Sequence, residues 1–269
     1  MPRINSLMIV GTGGMARLFA RMLREKVSTI AVSSRFPEKA KKLSAKLGIK
    51  WTLMDYAGDF DSILLTAPPQ HLPEVAARIS EKMAPGSLLM DISSVKVGVV
   101  EKIEERIPEY IEYISLHPLF GPTAKKVRGY SIAIIPVRGR AFLNDLIALF
   151  ESVGLNVIIT SAREHDRVMS AIQVAHHMAY LSLALTLWEL LDPDSVAKYG
   201  TRSLQRTLSI FKMLRGNLKV IREIQELNVY GDQARGKLIE CIEKLARNDA
   251  EAWAAVEKAL EMLPRVSRS

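Results

Sequence analysis

Short runs of apolar residues alternate with amphipathic segments over the first 160 residues. The runs are four to six residues long, as expected for strands buried on both faces of a sheet. The segments between them carry apolar residues three and four positions apart, as in Met15–Lys26, which is typical of helices covering such a sheet. This alternation predicts an α/β fold with a doubly wound, mostly parallel sheet. The predicted strands are Leu7–Val10, Thr29–Ser33, Ser62–Thr66, Ser87–Asp91, Ile111–Leu116, Ser131–Ile135 and Asn156–Ile159.

From Ser161 onward the strand pattern stops, and long segments with a helical period continue. Ser161 and Glu164 have the spacing of a capping box, which predicts a helix from there to about Leu191. The far half of this helix is apolar on most sides, so it requires burial against a large partner. The sequence therefore predicts an α/β domain over residues 1–160 and an all-α domain over residues 161–269 that forms a homodimer.

The composition is that of a globular protein, since 48% of the 269 residues are hydrophobic and 25% are charged. It excludes an intrinsically disordered chain. Cys241 is the only cysteine, which excludes a disulfide framework and a multi-cysteine metal site, and we expect no metal. One cysteine also fits a reducing compartment, so we expect a cytoplasmic protein.

The net charge of +8, from 37 basic and 29 acidic residues, favours anionic ligands. The basic residues are scattered, so we expect no nucleic-acid binding. No uninterrupted apolar run reaches roughly 18 residues, and residues 1–6 lack the apolar core of a signal peptide. The sequence therefore predicts no membrane partner and no secretory signal.

A glycine-rich turn, Gly11-x-Gly13-x-x-Ala16, follows the first predicted strand and opens a helix. In this context it is typical of a dinucleotide-binding turn, because Gly11 permits the tight turn and Gly13 lets the backbone approach a pyrophosphate. The alternative is a glycine turn in an α/β fold that binds no nucleotide. The candidate cofactor-binding residues are Gly11, Thr12, Gly13, Gly14 and Met15, with Thr66, Ala67, Pro68 and Ser93 after later strands.

The end of the second predicted strand bears on which dinucleotide binds. Enzymes that use NAD usually place an acid there for the ribose 2′-hydroxyl, whereas this chain has Ser33, Ser34 and Arg35. Two hydroxyls and an arginine suit a 2′-phosphate, so we predict a preference for NADP. The alternative is that Arg35 stacks on the adenine and that NAD is also used.

Polar residues with catalytic potential follow other strands and open the long helix. These are Ser94 and Lys96, the His117–Pro122 segment (His-Pro-Leu-Phe-Gly-Pro), the Glu164-His165-Asp166-Arg167 segment, and His177, twelve residues after His165. Together with the glycine turn, they resemble the prephenate dehydrogenase family, which includes arogenate dehydrogenases. The resemblance extends from Leu7 to about Asn228. It implies a Rossmann-type nucleotide-binding domain, an all-α dimerisation domain, and the oxidative decarboxylation of prephenate in tyrosine biosynthesis.

The resemblance also implies roles for individual residues. His117 corresponds to the family's catalytic histidine, and Ser94 to the serine that hydrogen-bonds it and the substrate hydroxyl. Ser94 has an alternative role as a helix N-cap. His177 corresponds to a histidine that faces substrate. His165 and Asp166 are expected to orient the domain junction, and Lys96 is expected to be structural support.

Two positions depart from the family pattern. Lys212 stands where the family has an arginine for the substrate's side-chain carboxylate, and it lacks the bidentate fork of arginine. Arg206 or Arg215 could supply that contact instead. Thr123 stands where many relatives carry an acid. The change leaves arogenate open as a substrate, but favours prephenate because threonine offers no charge to the amine of arogenate.

Two other functional classes remain as alternatives. Pyrroline-carboxylate reductases and β-hydroxyacid dehydrogenases have similar glycine turns. Membership of these families would not, however, account for the histidine at 117 or for the Glu-His-Asp segment at the helix start. A nucleotide-sensing protein without catalytic activity would be compatible with Lys212 and Thr123. The intact Ser94, His117 and His177 favour an enzyme over this non-catalytic protein.

Overall fold

The computed structural model describes residues 4–262. The prediction that residues 1–6 contain no signal peptide falls partly on residues 1–3, which lie outside the described range. Eight strands form one sheet in the order β3-β2-β1-β4-β5-β6-β7-β8, and every neighbouring pair is parallel except β6 and β7. The strands are β1 (Ser6–Val10), β2 (Thr29–Ser33), β3 (Lys50–Trp51), β4 (Ser62–Leu65), β5 (Leu88–Asp91), β6 (Glu112–Pro118), β7 (Ser131–Arg138) and β8 (Asn156–Ile159).

Helices cover both faces of this sheet because alternate strand residues are apolar on both sides. In β1, Leu7 and Ile9 pack with α1 (Gly14–Leu23), α2 (Pro37–Leu47) and α5 (Leu143–Ser152). Met8 and Val10 face the opposite side and pack with α3 (Leu72–Ser80) and α4 (Val100–Glu104). The predicted doubly wound, mostly parallel α/β fold is confirmed.

The chain divides into two compact units between Asp166 and Arg167, whereas the sequence predicts the domain boundary after residue 160. The first unit ends in the opening turn of α6 (Ala162–Met169). Ser161 Oγ accepts a hydrogen bond from the backbone N–H of Glu164 at 3.2 Å, as the predicted cap requires.

The second unit is helical throughout its described part. A π-helical turn, Ser170–Ala175, precedes α7 (His176–Leu190), and the predicted long helix is thus made of three consecutive segments. The remaining helices are α8 (Pro193–Tyr199), α9 (Arg202–Arg215), α10 (Leu218–Leu227), α11 (Gly231–Ala246) and α12 (Ala250–Glu261).

One span, Ala162–Leu190, is long and apolar enough to cross a membrane by length and composition alone. Its most apolar window has a mean hydropathy of 1.2 and is 17% buried. The sequence was expected to contain no such helix because no uninterrupted apolar run is that long. An uninterrupted run ends at each polar residue, whereas a mean hydropathy over a window can include Gln173, His176 and His177 among apolar neighbours. The two criteria therefore give different results for this span.

Candidate active site

The parallel strands β1, β4, β5 and β6 end at the same edge of the sheet. Gly11 follows β1, Thr66 follows β4, Ser93 follows β5, and His117 is the penultimate residue of β6. In open α/β sheets, ligands bind in the crevice outside this edge. The fold therefore brings the glycine turn and the predicted catalytic histidine to one edge.

The glycine turn has the shape that a dinucleotide needs. Gly11 has φ +135°, and a Cβ there would lie 2.0 Å from Thr66 Oγ1, so no other residue fits. A Cβ on Gly13 would meet nothing within 4 Å, which leaves open space beside the backbone. A Cβ on Gly14 would lie 2.6 Å from Cβ of Pro122, so the glycine turn packs against the loop that follows β6.

Free backbone donors lie at the start of α1. Among residues 4–262, no side chain caps this helix at Gly13, and its first turn holds no acid. Uncapped N–H groups and the positive end of the helix dipole favour a phosphate. Together with the open space at Gly13, they fit the pyrophosphate of a dinucleotide. Of the other candidates, Thr12, Met15, Thr66 and Ala67 are half-buried, and Pro68 is exposed.

The three residues predicted to bind a 2′-phosphate differ in availability. Arg35 is exposed, and its guanidinium carbon lies 4.9 Å from the centre of the Phe36 ring. Ser34 Oγ accepts a hydrogen bond from the N–H of Phe36 at 3.1 Å and so shapes the turn. Ser33 is completely buried, and its hydroxyl has no partner among the described residues, so it does not present a hydroxyl at the surface. Arg35 is therefore the main candidate of the three.

Lys96 is completely buried beneath the crevice edge, as expected of structural support. Its ammonium group lies 3.7 Å from Asp91 Oδ1. Tyr113 holds the other oxygen of that carboxylate by a 2.7 Å hydrogen bond. The Lys96 ammonium donates to Ser115 Oγ (2.7 Å), the Leu116 carbonyl (2.7 Å) and Ser93 Oγ (3.2 Å). This network fixes Ser93, a predicted cofactor residue. It also fixes Ser115 and Leu116, the two residues of β6 that precede His117.

Burial and charge act against each other in this network. Burial raises the pKa of Asp91, but the charge of Lys96 and hydrogen bonds from Ser115 and Ser93 outweigh it and hold the pKa below its ordinary value. Burial also lowers the pKa of Lys96, and Asp91 and Asp166 offset only part of that effect. Burial, with the nearby Asp91 charge, raises the pKa of Tyr113, so this phenol stays protonated as a donor.

His117 is paired with another histidine rather than with the predicted serine. Its Nδ1 lies 2.8 Å from Nε2 of His165, and Nδ1 of His165 lies 2.7 Å from Oδ1 of Asp166. Ser94 is half-buried after β5, and among residues 4–262 the hydrogen bond found for His117 Nδ1 is the one to His165. Nε2 of His117 has no protein partner within the same range.

The pKa of His117 lies well below 6.5, first because the ring is buried and then because a positive charge on it would be repelled by a protonated His165 and by Lys96. The imidazole is therefore neutral at physiological pH and has a lone pair to accept a proton.

In the second unit, His177 lies on α7 and is half-buried, and its Nδ1 has no partner among the described residues. Burial, and then the nearby His176, lower the pKa of His177. The edge contact of Tyr180 with Phe211, at 6.5 Å between ring centres, packs α7 on α9. Arg206, Lys212 and Arg215 are all exposed on α9. Thr123 is exposed in the loop after β6, in the first unit.

A family model described as "Prephenate dehydrogenase, nucleotide-binding domain" matches residues 19–134. A "Probable arogenate/prephenate dehydrogenase" from Methanocaldococcus jannaschii is 29% identical over 227 residues, covering 82% of this chain and 51% of that protein. The segment that the family model matches lies in the first unit, so this part of the chain is similar to the nucleotide-binding domain of prephenate dehydrogenases. A "Probable prephenate dehydrogenase [NADP(+)]" from Schizosaccharomyces pombe is 28% identical over 66% of this chain and 42% of that protein. The chain thus spans about half the length of these curated relatives.

A comparison with solved structures supports the fold of this chain. The crystal structure of prephenate dehydrogenase from Aquifex aeolicus, in complex with hydroxyphenyl propionate and NAD+, superposes with a TM-score of 0.74 at 23% identity. The match covers 94% of this chain and 92% of that one. The Rossmann-type fold with a helical C-terminal region is therefore shared with a prephenate dehydrogenase.

Two features of the structure are not predicted from the sequence. The sequence predicts a role for His165 and Asp166 at the domain junction, whereas the structure pairs His165 with His117 and with Asp166. Gln173, in the π-helical turn, was not singled out, although its Oε1 is buried without a partner among residues 4–262.

Proposed function

We propose that this protein is an NAD(P)-dependent oxidoreductase that converts prephenate to 4-hydroxyphenylpyruvate and carbon dioxide in tyrosine biosynthesis. Prephenate loses a hydride from C4 and carbon dioxide from C1, and the electron pair released by decarboxylation completes the aromatic ring. The dinucleotide supplies the acceptor for the hydride. The protein must orient C4, accept the proton of the C4 hydroxyl and bind the carboxylates of the substrate.

The single observation that carries this proposal is the state of His117 at the carboxyl end of β6. The imidazole is buried and neutral, its Nδ1 is bonded to His165, and its Nε2 has no partner in the described chain. Such a nitrogen can accept the C4 hydroxyl proton as the carbonyl forms, and it can return that proton to the phenolate oxygen after aromatisation. The proton balance of the reaction therefore closes on one residue.

Further residues are proposed to bind substrate. Ser94, in the loop after β5, is assigned to the substrate hydroxyl, and His177 to the ring side of the substrate. Lys212 is assigned to the side-chain carboxylate because it is exposed and positively charged on α9, with Arg206 as the neighbouring alternative. Thr123 is assigned to the loop that borders the substrate.

We propose NADP as the preferred cofactor and NAD as the second. The exposed Arg35 supports this preference, because the strand end contains no acid to repel a 2′-phosphate. The curated relative from Schizosaccharomyces pombe is named for NADP+, whereas the Aquifex aeolicus structure contains NAD+. Gly11, Thr12, Gly13, Gly14 and Met15 would bind the pyrophosphate, with Thr66, Ala67, Pro68 and Ser93 along the adjoining edge.

We also propose a cytoplasmic homodimer formed through the helical unit, without nucleic-acid or membrane partners. No residue of α7 is buried within the chain, and its apolar side chains include Leu185 at 68% exposure and Leu190 at 75%. A soluble monomer rarely exposes an apolar helix face of this kind. A second copy of the chain would remove it from water.

Arogenate is a second candidate substrate, since the relative from Methanocaldococcus jannaschii is named for both compounds. Its side chain carries an amine as well as a carboxylate. Thr123 is uncharged, so the site offers no acid there for that amine, and prephenate is favoured.

The test is the appearance of reduced nicotinamide absorbance after purified protein is mixed with prephenate and NADP+, with NAD+ and arogenate in parallel arms. We expect turnover with prephenate, and we expect His117→Asn to lower kcat by about 10²- to 10⁴-fold. Cofactor binding by that variant, measured by calorimetry, should be unchanged. Absence of turnover in every arm, from wild-type protein that binds NADP+, would overturn the proposed activity.

A further inference from the structure

Three buried side chains form a continuous hydrogen-bonded series behind the proposed base. His117, His165 and Asp166 are 4%, 3% and 0% exposed. The links are 2.8 Å between the two imidazoles and 2.7 Å between His165 and the carboxylate. The two ring planes are inclined by 65° with centres 5.0 Å apart, and the 2.8 Å contact joins one nitrogen of each ring.

The protonation of this series can be assigned from its carboxylate end. Asp166 accepts backbone N–H donors from Lys96 (3.0 Å to Oδ1 and 3.1 Å to Oδ2) and from Val97 (2.8 Å to Oδ2). Both oxygens of Asp166 accept backbone donors, and a carboxylate offers acceptors only. Nδ1 of His165 must therefore carry the proton that it shares with Asp166.

The rest follows from the fixed proton on His165. In the neutral ring, a proton on Nδ1 leaves the lone pair on Nε2, which can only accept. The partner at 2.8 Å, Nδ1 of His117, must then be the donor. With its proton on Nδ1, neutral His117 has its lone pair on Nε2, the nitrogen without a protein partner among residues 4–262.

We propose that His165 and Asp166 are positioning residues that act through His117: they fix it as the Nδ1–H tautomer, so that Nε2 is the proton acceptor. The proposal rests on the proposed dehydrogenase function for its kinetic consequence, but not for the tautomer itself. When Nε2 takes the hydroxyl proton, the imidazolium keeps its Nδ1–H bond to His165, and the carboxylate behind that ring stabilises the new charge. No further proton transfer along the series is needed.

Other states of the series would disable the base. If His165 donated to His117, Nδ1 of His117 would hold the lone pair and Nε2 would carry the proton. That tautomer points a donor at the substrate hydroxyl and cannot remove its proton. The series therefore determines which nitrogen reacts, whereas a merely structural role would not depend on the direction of the hydrogen bonds.

The first test reads the tautomer directly in the wild-type protein without substrate. With ¹⁵N-labelled histidine, at neutral pH, we expect Nε2 of His117 to give the resonance of an unprotonated ring nitrogen and Nδ1 that of a protonated one. His117→Asn assigns the signals. The opposite pattern would overturn the proposal, whether or not the protein oxidises prephenate.

The second test compares two substitutions at the same position. In His165→Gln, the side-chain oxygen can still accept from Nδ1–H of His117, whereas His165→Leu offers no acceptor. We expect His165→Leu to lower kcat about a hundredfold with KM for prephenate and NADP+ changed less than about twofold, because His165 is buried and is bonded to His117. His165→Gln should retain kcat within about tenfold of wild type.

Equal losses in the two variants, or full activity of His165→Leu, would overturn the positioning role. Should His165→Leu fail to fold, the wild-type tautomer and the kcat of His165→Gln still decide. The proposed function fails separately, when wild-type protein with the expected tautomer turns over none of the substrates.

Discussion

Nδ1 of His117 and Nε2 of His165 lie 2.8 Å apart although 48 residues separate them in the chain. One ring sits at the end of a central strand, and the other sits in the first turn of a helix, where Ser161 caps the backbone. The cap therefore fixes the start of the helix that carries the partner of the proposed base. The hydrogen bond between His117 and His165 therefore depends on where this helix begins.

The acid limb of the activity profile should lie below pH 6.5. Burial, and then His165 and Lys96, lower the pKa of His117 well below that value, so the base remains unprotonated as pH falls through 6.5. We expect kcat/KM for prephenate to stay constant from pH 8 to 6.5 and to fall only at lower pH. Urea unfolding over the same range separates protonation of the base from loss of the fold. A decline that begins above pH 7 would contradict the assignment.

Alanine at the two glycines should separate folding from cofactor binding. Gly11→Ala places Cβ 2.0 Å from Thr66 Oγ1 in a left-handed backbone region, so the free energy of unfolding should fall by about 1–3 kcal/mol. Gly13→Ala meets no atom within 4 Å and should change stability by less than about 1 kcal/mol. Its Kd for NADP+ should nevertheless rise about tenfold, because the added methyl group fills the space assigned to the pyrophosphate. Calorimetry and urea unfolding measure both effects, and an unchanged Kd would place the pyrophosphate elsewhere.

Removal of Arg35 should reduce discrimination between the cofactors. Arg35→Ala is expected to lower the ratio of kcat/KM for NADP+ to that for NAD+ about tenfold, since the guanidinium would bind the 2′-phosphate that NAD+ lacks. Lys42→Ala is the control for net charge, because Lys42 is an exposed basic residue of α2, the helix that follows Arg35 in the chain. An equal change in both variants would show only long-range attraction.

Lys212→Met should raise KM for prephenate about tenfold with little change in kcat, as expected when a carboxylate contact that is equal in ground and transition states is removed. Lys219→Met removes an exposed lysine from the neighbouring α10 and serves as the control. If KM is unaffected at position 212, the same measurement on Arg206→Met and Arg215→Met identifies the carboxylate-binding residue.

Leu185→Asp should convert the proposed dimer to monomers. The substitution puts a charge in the middle of the exposed apolar face of α7, and a buried unpaired charge opposes association strongly. Tyr110→Asp introduces the same charge at an exposed aromatic residue of the first unit and should leave the dimer intact. Sedimentation equilibrium at several concentrations distinguishes the two outcomes, and a dimeric Leu185→Asp would exclude this face from the interface.

Most of the sheet could be predicted because β1, β2, β4, β5, β6 and β7 consist largely of buried apolar residues, which appear as short apolar runs in the sequence. Strand β8 was also predicted from its apolar residues, although most of them are exposed. Strand β3 was not predicted, because it is only two residues long and both residues, Lys50 and Trp51, are exposed. The reversal between β6 and β7 had a usable signal: the connection 119–130 contains no helical pattern, whereas a parallel crossover usually needs a helix. Helix α5 also has clear apolar spacing at Leu143, Leu146 and Phe150.

The candidate site could be predicted only as a set of residues. The placement of His117 and the glycine turn at one edge of the sheet could be predicted, because parallel strands end at the same edge. The pairing of His117 with His165 depends on side-chain directions and on the exact start of α6, which no periodicity encodes. For the same reason, the sequence did not distinguish the buried Ser33 from the exposed Arg35.

The carboxylate of Asp166 binds the N–H groups of Lys96 and Val97 as well as the ring of His165. Glutamate would reach too far for all three at once, and asparagine would offer a donor where only an acceptor fits. A substitution of Asp166 would therefore disturb two features in a single step, namely the loop after β5 and the histidine pair. Lineages that abandon aspartate here would have to rebuild both features together.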